Sequence, residues 1–306
     1  MPTAPLLQCV VSGKKTENFV DFETNPYATS DNDESTSYSR DDKKFLEIIG
    51  NDIHVNKDGF SETSLPFKPF ETPLKNNRAE VLQRMTKSLS SLAKSSKKLD
   101  DSLKSMQKFL EKNHAEKVEN LTGNERKTWY IPIFPVYHPK KGKARLVFDA
   151  SACFQGQSLN KALLQGPDLN NKLYGALIRF RERRIAVMAD IESMFHCFFV
   201  NESDRDFLRF FWWQDKDPSK AIVEYRMKVH IFGNTSSPSV AMYCLQYAAI
   251  SSGNQVVIDF VTNNFYVDDG LACFDNVHEA VDAFKQTREV LFKYNIRLHK
   301  LISNDD

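Results

Sequence analysis

Apolar residues recur at steps of three and four through the segment Arg78 to Asn120: Leu82, Met85, Leu89 and Leu92, then Leu99, Leu103, Met106 and Leu110. That spacing puts them on one face of an α-helix, and neither Gly nor Pro interrupts the stretch from Arg78 to Lys117. The pattern predicts one long helix, or two with a break near Ser95 and Ser96. The heptad fails around Ser95 to Lys98, which favours a helical layer packed on its own domain over a coiled-coil dimer seam.

From Trp129 onward the period alternates. "WYIPIFPVYH" is apolar and punctuated by proline, and "KARLVFDAS" reads as a strand. "PDLNNKLYGALIRFRER" reads as a helix, with Asp168 as its N-cap and Leu169, Leu173, Leu177 and Phe180 on one face. "RIAVMADIE" reads as a buried strand ending in acids, and "FLRFFWW" and "IVEYRMKVHIF" as two more strands. "SPSVAMYCLQYAAISSG" is a mostly apolar helix closed by Gly253. "VVIDFVTNNFYVDDGLACF" reads as β-rich. "NVHEAVDAFKQTREVLFKY" is an amphipathic helix capped by Asn276, and "NIRLHKLIS" a last strand. The interleaving predicts an α+β chain with a split βαβ, ferredoxin-like sheet.

Upstream, "ATSDNDESTSYSRDD" is rich in Ser and Asp, so residues 1–42 read as a disordered linker. "FLEIIGNDIHV" reads as a short ordered piece, and residues 43–128 as a mostly helical region. The 306 residues are 41% hydrophobic and 26% charged, enough for a real core. A net charge of +1 says nothing of an anionic partner; only local clusters can. The five cysteines (Cys9, Cys153, Cys197, Cys244, Cys273) are scattered without a C-x-x-C pair. Neither a disulfide framework nor a zinc site is indicated, and a reducing compartment is expected. No signal peptide and no apolar run of about 18 residues is visible, so an intracellular protein without a membrane partner is expected. His138, His196 and His230 sit in apolar surroundings without ligand spacing.

The candidate chemistry lies in acids that follow apolar runs. "IAVMAD" delivers Asp190 at a strand end; "NNFYVDDGLACF" delivers Asp268 and Asp269. Asp-Asp-Gly alone is good turn chemistry. Three carboxylates brought together at strand ends repel unless a cation sits among them. A hard divalent ion with oxygen ligands suits such a site, and a pair of ions would activate an attacking oxygen and neutralise a leaving one.

These blocks resemble reverse transcriptases. "FYVDDG" is similar to their aromatic-x-Asp-Asp hairpin in the polymerase palm, "MADIESMFHCFFV" to their first acidic motif, "IFGNTSSPSVA" to the segment between, and "LHKLISN" to the strand after the palm helix. More narrowly, "VFDAS", "SLN", "LLQGPDL" and "RFR", in that order, resemble the BEL/Pao class of LTR retrotransposons. The likeness is strong from about Tyr130 to Asn304 and weaker through "LPFKP" and "NNRAEVLQRM".

The resemblance implies a polymerase palm with fingers elements over residues 129–306. It implies an RNA-directed DNA polymerase acting on an RNA/DNA template-primer with dNTPs, two Mg²⁺ or Mn²⁺ ions, and a place in a retrotransposon polyprotein and its DNA integration pathway. Asp190 and Asp268 would bind both metals, Asp269 would assist, and the backbone carbonyl of Ile191 would be a further ligand. Phe195 would lie under the incoming sugar and disfavour a ribose 2′-OH; core packing explains it as well. Lys143 and Arg145, two apart on a strand, share a face and would meet the triphosphate, or else line a solvated edge. Gly233 would let backbone approach the nucleotide, and Tyr266 would flank the primer end or simply pack in the hairpin. Phe232 stands where many reverse transcriptases carry Gln, so a Gln contact to the nucleotide does not transfer. Arg179, Arg181, Arg183 and Arg184 would contact template phosphates, or cap carbonyls at a helix end.

The chain ends just past the last palm strand, so it reads as fingers and palm without thumb, RNase H or integrase. A weak hold on template-primer is expected of it. A catalytically inactive remnant that binds nucleic acid or protein is the alternative, and a helical interaction protein built on residues 78–120 a third reading.

Overall fold

The computed structural model describes residues 38–69, 73–119, 128–137 and 144–305. Helix α1 (Arg40–Asp52) opens with a capping box: Ser39 Oγ accepts from the Asp42 amide, and the Asp42 carboxylate accepts from the Ser39 amide, both at 3.1 Å. Residues 40–42, expected in the linker, are therefore its first turn. Phe45 and Ile49 on the inner face are fully buried. Strands β1 (His54–Val55) and β2 (Ser61–Thr63) form a short antiparallel pair.

The long apolar periodicity resolves into two helices, α2 (Arg78–Ala93) and α3 (Ser96–Glu111), broken at Lys94 and Ser95. Val81, Met85, Leu89, Leu92 and Met106 face the chain's own core, as a helical layer requires. Strand β3 (Ala115–Lys117) follows. Strands β4 (Ile133–Tyr137) and β5 (Ala144–Phe148) pair antiparallel, with α3 against β5: Ser105 Oγ donates to the Ala144 carbonyl at 3.0 Å.

After the short α4 (Leu159–Ala162), helix α5 covers only Leu173–Arg179. Asp168 is not its cap, because its Oδ1 accepts from the amide (3.1 Å) and side chain (2.8 Å) of Asn170, a local turn that competes with helix. Asn171 is drawn elsewhere; its Nδ2 donates to the carbonyls of Thr262 (3.0 Å) and Phe265 (2.7 Å). Of the face expected for this helix, Leu173 is exposed, and Ala176 is the buried residue.

Strand β6 (Ile185–Ile191) alternates: Ile185, Val187, Ala189 and Ile191 are buried, while Met188 is exposed. Strand β7 (Phe199–Val200) joins β2 in parallel. Strands β8 (Arg209–Trp213) and β9 (Ile222–Met227) join β3 in a separate sheet, β3-β9-β8. Helix α6 (Ser237–Ser251) ends before Gly253, at φ +64°. Residues Gln255–Asn264 form helix α7, not the expected strand. Asn254 Oδ1 caps the amides of Val256 and Val257, and Val257, Phe260 and Val261 are buried at helical spacing. Packing overrides the β preference of its valines.

Strands β10 (Phe265–Tyr266) and β11 (Asp269–Phe274), helix α8 (Val277–Phe292) with Asn276 as its cap, and β12 (Leu298–Ser303) complete the chain. The sheet order is β10-β11-β6-β12, all antiparallel. With α6–α7 and α8 as the two crossovers, that is the split βαβ arrangement. The buried face of β6 shares one core with α1, α6, α7 and α8, which leaves the face carrying Met188 and Asp190 open.

Candidate functional site: a carboxylate cluster at the end of the central strand

Asp190 sits near the end of β6, with strands on both sides. Its Cα partner on β11 is Asp269, and its Cα partner on β12 is His299. Directly paired residues of an antiparallel sheet project to the same face, so Asp190 and Asp269 share the open side. Asp268 belongs to the two-residue turn that joins β10 to β11. Its carbonyl accepts from the Ile191 amide at 2.8 Å, which ties the turn to the end of β6. The three acids named in the sequence thus meet at one end of one sheet.

The turn is strained. Val267 has φ +56°, a left-handed conformation that β-branched residues rarely adopt. Asn170 Oδ1 accepts from its amide at 3.2 Å, and Asn171 holds the start of β10 from behind. Gly270 follows the acids because its Cα faces the Phe265 ring, where an added Cβ would lie 3.0 Å from Cζ. Over-determination of this kind keeps a strained turn in place.

Burial, then Asp268 and Asp190, push the Asp269 carboxyl above its ordinary value. Like charges so close call for a cation. The chain supplies one itself: Lys300 Nζ lies 2.7 Å from Asp190 Oδ2, and His299 Nδ1 lies 3.4 Å from Oδ1 and 3.0 Å from the Asp190 carbonyl. Among the described residues, no three His, Cys, Asp or Glu side chains close into a metal-binding group. With Asp190 turned to Lys300 and His299, the acids are gathered but not arranged as a chelate. The donor set nevertheless fits a hard divalent cation, because the facing side chains of Asp190, Asp268 and Asp269 offer only oxygens.

The remaining candidates fall in several places. Ile191 is buried and gives its amide to Asp268. Phe195 lies in the 3₁₀ turn Met194–Cys197 just beyond β6, is 9% exposed, and packs against Phe232 with ring centroids 4.8 Å apart. Phe232 itself is 72% exposed. Gly233 has φ +116°, and a Cβ there would lie 2.5 Å from the Phe148 carbonyl oxygen. The close approach observed at this glycine is to the end of β5. Tyr266 pairs with Asp269 across the hairpin and is half-buried. Arg145 is on the exposed side of β5, opposite Val136. Lys143 and His138 lie outside the described residues.

The arginine cluster divides. Arg179 Nη2 donates to the Asn263 carbonyl, bracing α5 against the end of α7. Arg183 pairs with Asp275 at 3.1 Å. The Arg181 contact to the Leu177 carbonyl, at 3.5 Å, is long, and Arg184 is exposed.

Sequence reasoning missed several side chains that tie the quoted segments together. Asn160, inside the quoted "SLN" block, donates to the Gly233 carbonyl at 2.8 Å and accepts from the Thr235 amide at 2.9 Å. Asn304, the last residue of "LHKLISN", accepts from the Ala186 amide at 2.8 Å and donates to the Arg184 carbonyl at 3.0 Å. Asn170, Asn171, His299 and Lys300 complete the set. Each lay within a stretch already singled out, but nothing in its spacing announced its partner.

No protein-family model matches the chain, and comparison with curated proteins returns no match. Among solved structures, it is similar to a foamy viral protease-reverse transcriptase in complex with double-stranded DNA, at 16% identity and a TM-score of 0.48 over 63% of this chain and 30% of that one. It is also similar to a Prototype Foamy Virus protease-reverse transcriptase mutant, at 17% identity and a TM-score of 0.46 over 76% of this chain and 25% of that one. The chain spans less than a third of either neighbour's length. Among the described residues no helix is long and apolar enough to cross a membrane.

Proposed function

We propose that this chain is the fingers and palm of a retroelement RNA-directed DNA polymerase of the BEL/Pao type, acting on a template-primer and dNTPs. The observation that carries the proposal is the cross-strand pairing of Asp190 with Asp269, with Asp268 tied to the same strand end through Ile191. A turn pair in solvent needs no third acid on the neighbouring strand. The order of the motifs along the chain supports the same reading.

In this reading Asp190, Asp268, Asp269 and the Ile191 carbonyl hold two Mg²⁺ or Mn²⁺ ions. Such ions, when bound, neutralise the phosphates and favour ionisation of the attacking hydroxyl. The protein's own part is positioning, the larger share of catalysis in phosphoryl transfer. The primer 3′-OH attacks the α-phosphorus of a dNTP, a P–O bond forms, the bond to the β-phosphate breaks, and pyrophosphate leaves. Phe195 and its neighbour Phe232 offer an apolar surface for the sugar, and Arg145 an exposed cation for phosphate.

Primer extension on an RNA template with dNTPs and Mg²⁺ or Mn²⁺ tests the proposal. Incorporation by the wild type that Asp268→Asn abolishes supports it. Salt-sensitive RNA binding without incorporation sinks it in favour of an inactive nucleic-acid-binding remnant.

A further inference from the structure

We propose that Lys300 is a resident cation of the carboxylate site, one that holds Asp190 in place and must yield its oxygen when a divalent ion enters. The inference rests on the metal-binding reading above. What it adds is a residue that competes with the metal.

The observation begins with register. His299 pairs with Asp190 and Ile302 pairs with Met188, so β12 spends three residues where β6 spends two. This is a β-bulge, and it resets the alternation of side chains. In a regular strand the residue after His299 would point to the face opposite Asp190. Here Lys300 takes φ +52°, and its ammonium reaches back to Asp190 Oδ2 at 2.7 Å. A non-glycine residue held at positive φ is uncommon and marks a local constraint.

The two groups on Asp190 differ in what they can do. His299 is 27% exposed and is also held at the Asp190 carbonyl, whereas the Lys300 side chain is 63% exposed on a flexible four-carbon stem. His299 is built to stay, and Lys300 is free to swing into solvent. With Lys300 in place, one oxygen of Asp190 is already paired with a positive charge. Entry of a divalent ion breaks this ion pair, so the pair lowers metal affinity.

The test uses the full chain and Mn²⁺ alone, counting free Mn²⁺ by its paramagnetic resonance signal. Lys300→Met is expected to bind Mn²⁺ about two- to fivefold tighter than wild type, the scale of an exposed ion pair. Lys300→Gly, which keeps positive φ without strain, is expected to do the same. Lys300→Arg retains the cation and is expected to stay at the wild-type value. Melting temperatures with and without Mn²⁺ report folding of each variant and give an independent measure of affinity. Unchanged or weaker binding in both Lys300→Met and Lys300→Gly, with binding lost in Asp190→Asn, overturns the role of Lys300 and leaves the metal site standing. Binding that survives in both Asp190→Asn and Asp268→Asn overturns the metal site, and the role of Lys300 with it.

Discussion

The molecule handles charge in two opposite ways in its two cores. In the core built by α2, α3, β4, β5, β8 and β9, charges are buried and matched. Glu224 is 4% exposed; its Oε2 accepts from Arg209 Nη1 at 3.0 Å and from Tyr130 Oη at 2.8 Å, and its Oε1 accepts from Arg78 Nε at 2.8 Å. Arg209 Nε in turn donates to Asp206 at 3.0 Å, and Arg226 joins Asp206 to Glu116. Aromatic rings wall this network in, with Tyr130 stacked on Phe211 at 5.0 Å. On the sheet that carries the acids, like charges are exposed and crowded, and Lys300 and His299 approach Asp190 from one side. Full pairing of buried charge holds architecture together, and a break in it is costly. Three acids on an open face, with Lys300 and His299 at Asp190, add little to architecture by comparison.

That contrast breaks most sharply at Glu224. Glu224→Ala leaves the buried Arg209 with Asp206 alone and takes its carboxylate from the half-exposed Arg78, and about 3 kcal/mol of stability is expected to go. Urea unfolding measures it. An unchanged midpoint would mean that the network is ornamental.

His230 sharpens the comparison on the pH axis. Both its ring nitrogens are buried with no hydrogen-bond partner among the described residues, and burial pulls its pKa down to about 3. The unfolded chain takes up the proton near pH 6.5 and the folded one does so only near 3. Between those values the unfolded state binds more protons, so stability falls as pH drops, by about 1.4 kcal/mol per pH unit from this residue. His230→Phe is expected to flatten the acid limb by that slope. His114 and His196, with burial lowering them to about 4 and about 3, keep the remainder.

Smaller effects belong to the acid-bearing hairpin. Val267→Gly relieves a left-handed β-branched residue and is expected to raise stability by about 1 kcal/mol, the scale of such strain less the entropy a glycine adds. Incorporation is expected to fall, because the turn that carries Asp268 loosens. A destabilised variant would show that Val267 is not strained. Asp268→Asn, at an exposed site, is expected to shift stability by no more than about 0.5 kcal/mol while abolishing incorporation. A loss comparable with Glu224→Ala would erase the distinction between the two cores.

Much of the fold was legible where periodicity was clear. The two-helix layer, α6, α8 with its Asn276 cap, and strands β6, β8 and β9 follow the apolar pattern closely. Two elements did not. The valines of α7 pointed to a strand, but a cap at Asn254 and three buried positions at helical spacing made a helix. Asp168 pointed to the start of a helix, yet its nearest donors were the amide and side chain of Asn170. Both cases turn on energies near 1 kcal/mol, small enough for a neighbour to reverse. The site was half legible: three acids stood out by type and position, and the asparagines that hold them did not. An amide side chain has no periodicity, and its partner lies as far away as residue 94 positions on, as Asn171 and Phe265 show.

By itself, then, the sequence determined the secondary structure of its strongly periodic segments and the candidate acids, because burial and turn chemistry act over a few residues. Only the tertiary structure decided that β8 and β9 leave the central sheet, that Asp190 faces Asp269 on one side and His299 on the other, and that a bulge turns Lys300 back onto the acids. Register between strands far apart in sequence comes from packing the whole sheet at once, and a shift of one residue moves a side chain to the other face.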